Sequence, residues 1–144
     1  MIKYNNLKLE NQLCFSLYAL SREIIKLYKP ILDELNLTYT QYLVMLVLWE
    51  EGKSTVKNLG NRLHLDSGTL TPLLKKLETA GFLNRYRSTD DDRVVIAELT
   101  KKGEELQDKA KDIPTQILCS MNTNNDKVIK LKKDLDDVLI NLKL

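Results

Sequence analysis

Residues 54–99 read STVKNLGNRLHLDSGTLTPLLKKLETAGFLNRYRSTDDDRVVIAEL, and changes of period inside this stretch decide the fold. Ser54 or Thr55 can cap a helix through Leu63 that carries Val56, Leu59 and Leu63 on one face. After a turn of about three residues, His64-Leu65-Asp66, a cap at Asp66 or Ser67 opens a second helix. Its apolar stripe of Leu70, Leu73, Leu74 and Leu77 ends at Ala80-Gly81. Past Gly81 the apolar period drops from helical to alternating. Phe82–Arg87 and Val94–Leu99 therefore read as two strands around the polar loop Ser88–Arg93. Helix, short turn, helix, hairpin is the order of a winged helix-turn-helix.

Working outward, Leu13, Leu17, Leu20, Ile24, Leu27 and Tyr28 recur at helical spacing and predict a helix over residues 9–29. Pro30 predicts a kink or restart, because Ile31, Leu32 and Leu35 continue the pattern beyond it. A polar connector, Asn36–Thr40, offers Thr38 or Thr40 as the next cap. Gln41–Glu51 is apolar almost all round, as expected of a helix at the centre of a core, and Gly52 ends it. Downstream, Thr100 caps a helix starting at Lys101, and Pro114 should kink or interrupt it. Val128, Leu131, Leu135, Val138 and Leu142 then alternate three- and four-residue steps, the seam of a coiled coil within 126–142. The expectation is a mainly α chain with a small β-hairpin, one domain over residues 1–144. A winged helix-turn-helix lobe occupies about 38–100, and dimerisation helices lie within 1–35 and 101–144.

Composition narrows the function. At 144 residues the chain has one domain's length, and 43% hydrophobic with 29% charged residues fits a globular protein. The longest apolar run, Tyr42–Trp49, falls far short of the roughly 18 residues that span a bilayer. The opening MIKYNNLKLENQ lacks the basic and apolar segments of a secretion signal, so no membrane role and a cytoplasmic home are expected. Two cysteines without a CxxC pair suggest neither a disulfide framework nor a metal site. With one histidine, His64, and no GxSxG, HExxH or glycine-rich phosphate loop, no enzymatic reaction and no cofactor is expected.

Charge is unevenly distributed. Residues 1–52 carry −1, residues 53–93 carry +3, and residues 94–144 are balanced, so the helix-turn-helix and hairpin hold the surplus. In the second helix the apolar stripe leaves Ser67, Thr69, Thr71 and Pro72 on an outer face near the N-terminal end. There hydroxyls and free N–H groups suit phosphate oxygens and base edges. Lys75 and Lys76 add screened charge, and Arg85, Arg87 and Arg93 cluster in or beside the hairpin, where an arginine at the tip suits a narrow minor groove. Taken singly, Ser67 reads equally as a plain helix cap and the lysines as a solvated face. Taken together in this order, they predict double-stranded DNA as the partner.

The stretch from Leu59 to Gly103 resembles the DNA-binding lobe of the MarR family of bacterial transcriptional regulators, with Asp91-Asp92-Arg93 and Leu99-Thr100-Lys101-Lys102-Gly103 similar to its wing signature. The resemblance extends over essentially the whole chain. It implies an obligate homodimer joined through its first and last helices, a pseudo-palindromic operator, usually repression, and a place for Asp91 among the DNA-binding residues. Within the family, LENQLCFSLYALSREI (Leu9–Ile24) resembles the OhrR-like branch that senses organic hydroperoxides. That likeness makes Cys14 the sensor, with Tyr28 and Tyr39 as hydrogen-bond donors to its thiolate across the dimer interface and Tyr18 nearby. A thiolate attacks peroxide oxygen, and phenols stabilise it without adding charge. Apolar neighbours Leu13, Phe15 and Leu17 suit an organic peroxide or a similar thiol oxidant. Cys119 falls where two-cysteine members carry a resolving thiol, and it reads equally as a small packed hydrophobe.

Cys14 alone reads as a buried structural cysteine; the tyrosines turn the reading toward sensing. Two rivals stand beside it. One is a repressor released by a small aromatic ligand lodged among Tyr18, Tyr28, Tyr39 and Trp49, with Cys14 structural. The other is an architectural DNA-binding protein without a switch.

Overall fold

The structure, a computed structural model, describes residues 1–142. Two compact units emerge: Tyr28–Lys111, and Met1–Leu27 with the chain from Asp112 onward. The lobe expected at about 38–100 thus extends further at both ends. The reason is burial: Leu32 and Leu37 upstream, and Leu106 and Ala110 downstream, are as enclosed as the central residues.

The lobe is built on helix α2 (Tyr39–Glu51), which packs against α3 (Val56–Leu63), α4 (Ser67–Thr79) and α5 (Lys101–Ala110). Thr38 is its cap, in a reciprocal arrangement. The Gln41 N–H donates to Thr38 Oγ1 at 3.3 Å, and the Thr38 N–H donates to Gln41 Oε1 at 2.9 Å. Tyr42, Val44, Met45, Val47 and Leu48 are buried, as an all-round apolar helix requires, while Leu46 is exposed. Gly52 closes α2 at φ +75°, a conformation that costs glycine nothing.

One strand was not anticipated. Lys53–Thr55 forms β1 and pairs antiparallel with β3 (Val95–Leu99), whose other edge takes β2 (Leu83–Arg87). The hairpin is therefore part of a three-stranded sheet in the order β1-β3-β2. Three residues are too few to show alternation, and the partner of Lys53 is Glu98, far along the chain. Thr55 caps α3 through the Asn58 N–H at 3.1 Å, and Asp66 caps α4 through the Thr69 N–H at 2.8 Å. Between these helices His64 takes a left-handed conformation, φ +55°. Arg62 reaches back from α3 to Glu50 at 2.7 Å and Glu51 at 2.6 Å.

The end of α4, the sheet and the start of α5 meet at Gly103. The Thr100 N–H donates to the Phe82 carbonyl at 3.1 Å, Thr100 Oγ1 donates to the Gly81 carbonyl at 2.6 Å, and the Trp49 indole N–H donates to the Gly103 carbonyl at 2.8 Å. A Cβ on Gly103 would lie 2.0 Å from the Phe82 carbonyl oxygen, so only glycine fits.

Helix α1 (Leu13–Asp33) starts later than the spacing predicts and runs on through Pro30. Before it, 3₁₀ turns occupy Asn5–Leu7 and Leu9–Asn11. Side-chain amides compete with helix there: Asn11 Nδ2 donates to the Asn5 carbonyl at 2.8 Å, and Gln12 Nε2 to the Asn6 carbonyl at 2.7 Å. Pro30 lacks one N–H, yet α1 continues to Asp33 and buries Leu32. In the second unit Pro114 does mark a break, standing in the first turn of a new helix, α6 (Ile113–Ser120). Helix α7 (Asn125–Leu142) is the predicted seam helix. In the single chain that seam is uncovered: Leu131, Leu135, Val138 and Leu142 are all exposed.

Candidate functional site

The lobe presents its hydroxyl and basic side chains around a groove of about 630 Å³ between α3, α4 and the hairpin. Ser67, Thr71, Arg85 and Arg93 line it, over a floor that includes Leu65, Leu70 and Val95. Ser67, Thr69, Thr71, Pro72, Lys75 and Lys76 are all exposed, because Leu70, Leu74 and Leu77 turn the opposite face of α4 into the core. Two hydroxyls are already committed as donors. Thr69 Oγ1 donates to Asp66 Oδ2 at 3.3 Å and Thr71 Oγ1 to the Ser67 carbonyl at 2.7 Å, which leaves both with lone pairs to accept from a base amino group or a bridging water. Lys57 and Asn61 of α3 line the same groove and were missed by sequence reasoning. Their signal was available: they stand on the face of α3 opposite Val56, Leu59 and Leu63.

The three arginines prove unlike one another. Arg93, at the hairpin tip, has 91% of its side chain exposed. Asp91 orients it, with Oδ1 accepting from the Arg93 N–H at 3.0 Å and from Nε at 3.0 Å. Those bonds hold the Asp91 carboxyl below the usual aspartate range. Arg87 is exposed and donates to the Asp92 carbonyl, bracing the loop. Arg85, in contrast, is half-buried and held by Glu78 of α4, so its charge is already matched.

Cys14 occupies the first turn of α1 and is exposed in the single chain. Phe15, Leu17 and Tyr18 beside it are exposed as well, with Tyr18 Oη accepting from Arg22 Nη1 at 2.8 Å and still free to donate its own proton. Tyr28 and Tyr39 belong to the lobe, where their rings pack at a 52° tilt with centroids 4.8 Å apart, and the Tyr42 ring lies 5.8 Å from that of Tyr28. Burial, reinforced by the neighbouring Tyr39 and Tyr42, pushes the Tyr28 phenol up to about 12, and burial also raises Tyr39. Both phenols therefore stay protonated, as donors, across the working range. The aromatic-ligand alternative draws on the same rings, but these pack on one another, and Tyr42 meets Trp49 edge-on at 6.2 Å. Cys119, near the end of α6, is also exposed. It borders a hollow shared with Thr115, Leu118 and Asn122. Among the described residues, no group of three or more His, Cys, Asp or Glu side chains is placed to hold a metal ion.

With this geometry in hand, kinship can be weighed. Residues 26–110 match the family model of the SarA/Rot transcriptional regulators. The organic hydroperoxide resistance transcriptional regulator of Bacillus subtilis is 51% identical, over 95% of this chain and 93% of its own. Among solved structures, reduced AbfR bound to DNA superposes with a TM-score of 0.80 at 38% identity, covering 98% of this chain and 99% of that one. The disulfide-formed state of AbfR superposes less closely, with a TM-score of 0.67 at 37% identity, covering 91% and 92%.

Proposed function

We propose a mechanism that starts from kinship: the chain belongs to the MarR family of transcriptional regulators, in the branch of the organic hydroperoxide resistance regulator. It is a DNA-binding regulator that responds to oxidation, and it is not an enzyme. On our reading it is a cytoplasmic homodimeric repressor, joined through the apolar surfaces of α1 and α7, that releases a pseudo-palindromic operator when Cys14 is oxidised. Among the described residues no helix is long and apolar enough to cross a membrane.

The observation that carries the switch is the exposed Cys14 thiol on the first turn of α1, among apolar side chains. Its thiolate sulfur attacks the terminal oxygen of an organic hydroperoxide. The O–O bond breaks, the sulfur gains a hydroxyl as sulfenic acid, and the departing alkoxide takes up a proton to leave as the alcohol. Tyr28 and Tyr39, contributed across the dimer with Tyr18 nearby, hold the thiolate as neutral donors. Once sulfur carries oxygen that hydrogen-bond set no longer fits, and α1 shifts. If the Cys119 thiol of a second copy attacks the sulfenic sulfur, water leaves and a disulfide joins the subunits; an outside thiol would do the same chemistry without the crosslink.

DNA contact falls to Ser67, Thr69, Thr71, Pro72, Lys75 and Lys76 in the major groove, with Arg87 and Arg93, oriented by Asp91, at the minor groove. Because half-site spacing is fixed by the DNA turn, a shift in the dimer misplaces one α4 relative to the other. A misfit of about 3 kcal/mol would release DNA roughly a hundredfold. The test is Cys14→Ser, which should bind DNA like the parent and ignore cumene hydroperoxide. Peroxide-driven release by that variant would end the sensor assignment. Loss of a peroxide-induced crosslinked dimer in Cys119→Ser would identify the two-cysteine route.

A further inference from the structure

A half-buried ion pair joins the reading helix to the wing. Glu78 lies in the last turn of α4 and Arg85 in the middle of β2. One carboxylate makes three bonds to one residue. Oε2 accepts from Arg85 Nη2 at 2.9 Å and Nε at 3.2 Å, and Oε1 accepts from the Arg85 backbone N–H at 3.1 Å. Side-chain exposure is only 24% for Arg85 and 36% for Glu78, so the pair is shielded about as well as Arg62–Glu51 and far better than a surface pair such as Lys130–Asp134. Both guanidinium bonds converge on one carboxylate oxygen while the backbone N–H takes the other, so the carboxylate is fixed in angle as well as distance by charge-assisted bonds.

The backbone bond adds a second constraint. Strand β2 is an edge of the sheet, so the outward N–H of Arg85 has no strand to pair with, and Glu78 takes it. On the far side of the same junction, Thr100 Oγ1 and Lys102 Nζ donate to the Gly81 and Ala80 carbonyls at 2.6 and 2.7 Å. The end of α4 is thereby held from two sides, while Arg93 at the wing tip has no tether except its own loop.

We propose that Glu78 and Arg85 are positioning residues that set the angle between α4 and the wing, so that Arg93 reaches the minor groove when α4 lies in the major groove. This rests on the DNA-binding reading above and departs from the sequence expectation at one residue: Arg85 does not touch DNA. The two roles predict opposite signs at Glu78. If Arg85 were a DNA contact, removing Glu78 would free a cation and tighten binding. If the pair positions the wing, removing either partner loosens binding.

The experiment uses full-length protein and a duplex selected from a random-sequence pool by binding to it. Glu78→Ala and Arg85→Ala should each weaken binding about tenfold. The double variant should also lose about tenfold rather than a hundredfold, since both changes break one contact. Glu78→Gln, which keeps one amide oxygen to accept from the Arg85 backbone N–H but loses the acceptor for the guanidinium, should recover part of the loss. In hydroxyl-radical footprints the flanking minor-groove protection should fade in both alanine variants, while guanine protection under α4 persists, a pattern that general loss of fold would not give. Tighter binding by Glu78→Ala, additive losses, or uniform fading of the footprint would overturn the assignment. Failure of the parent protein to enrich any duplex would instead remove the DNA reading, and this inference with it.

Discussion

Gly103→Ala should cost far more than a single methyl group in a helix normally does. The added Cβ would stand 2.0 Å from the Phe82 carbonyl oxygen, 3.0 Å from its carbon and 3.1 Å from Leu99 Cδ2. Ordinary carbon–oxygen contacts begin near about 3.3 Å, so α5 and the start of β2 must part by more than about 1 Å. Both are backbone, and no side-chain rotation relieves the clash. Forcing this into a packed core costs about 1–3 kcal/mol, and stretching the Thr100 N–H bond to the Phe82 carbonyl, now 3.1 Å, forfeits about 1 kcal/mol more. Alanine's helix propensity returns about 1 kcal/mol. The net is a loss of about 1–3 kcal/mol, or a fall of roughly 4–12 °C in Tm for a chain of this size. Circular dichroism melts at matched protomer concentration measure it, with Glu104→Ala on the exposed face as the control expected to stay within about 0.5 kcal/mol. A Gly103→Ala protein that melts with or above the parent would refute the close approach on which the estimate rests.

Tyr28 gives a pH test. Its folded pKa, about 12, stands above the ordinary value of 10.0, so the folded state favours the neutral phenol. Its contribution is complete below pH 10 and is lost as pH rises toward 12. Ultraviolet titration should show a last phenol ionising near there, and Tyr28→Phe should delete that step; complete ionisation of all six tyrosines near pH 10 in folded protein would contradict it. Leu135→Asp, at the centre of the exposed α7 seam, should dissociate the proposed dimer to a 16.6 kDa species in sedimentation. A variant that still sediments at twice that mass would place the interface elsewhere.

Much of the lobe was legible because local signals agreed. Thr38, Asp66 and Thr100 are caps where their spacing to the next apolar position says they should be, and Leu70, Leu74 and Leu77 of the α4 stripe face the core with Leu73 half-buried beside them. What escaped depends on contacts made at a distance. β1 exists because Ser54 meets Ala97, which no window around Ser54 contains. Arg85 looks like Arg87 and Arg93 in a charge count, and only the fold brings Glu78 to it. The N-terminal boundary of α1 moved because Asn11 and Gln12 spend their amides on the preceding carbonyls, a local effect that apolar periodicity does not register. For Cys14, the sequence carried the position on the first helix, and its exposure in the single chain is visible only in the fold.

Trp49 is the chain's single tryptophan, and it belongs wholly to the lobe, with its indole N–H on the Gly103 carbonyl and its ring against Tyr42. The other unit, residues 1–27 and those from 112 on, carries no tryptophan at all. The molecule therefore comes with a built-in optical label on one unit only. Indole emission follows the helix-turn-helix and its sheet, whereas far-ultraviolet ellipticity is weighted by every helix, including α7. Two superimposed transitions would mean that the two units melt as one cooperative body, and a gap between them would show that they melt separately.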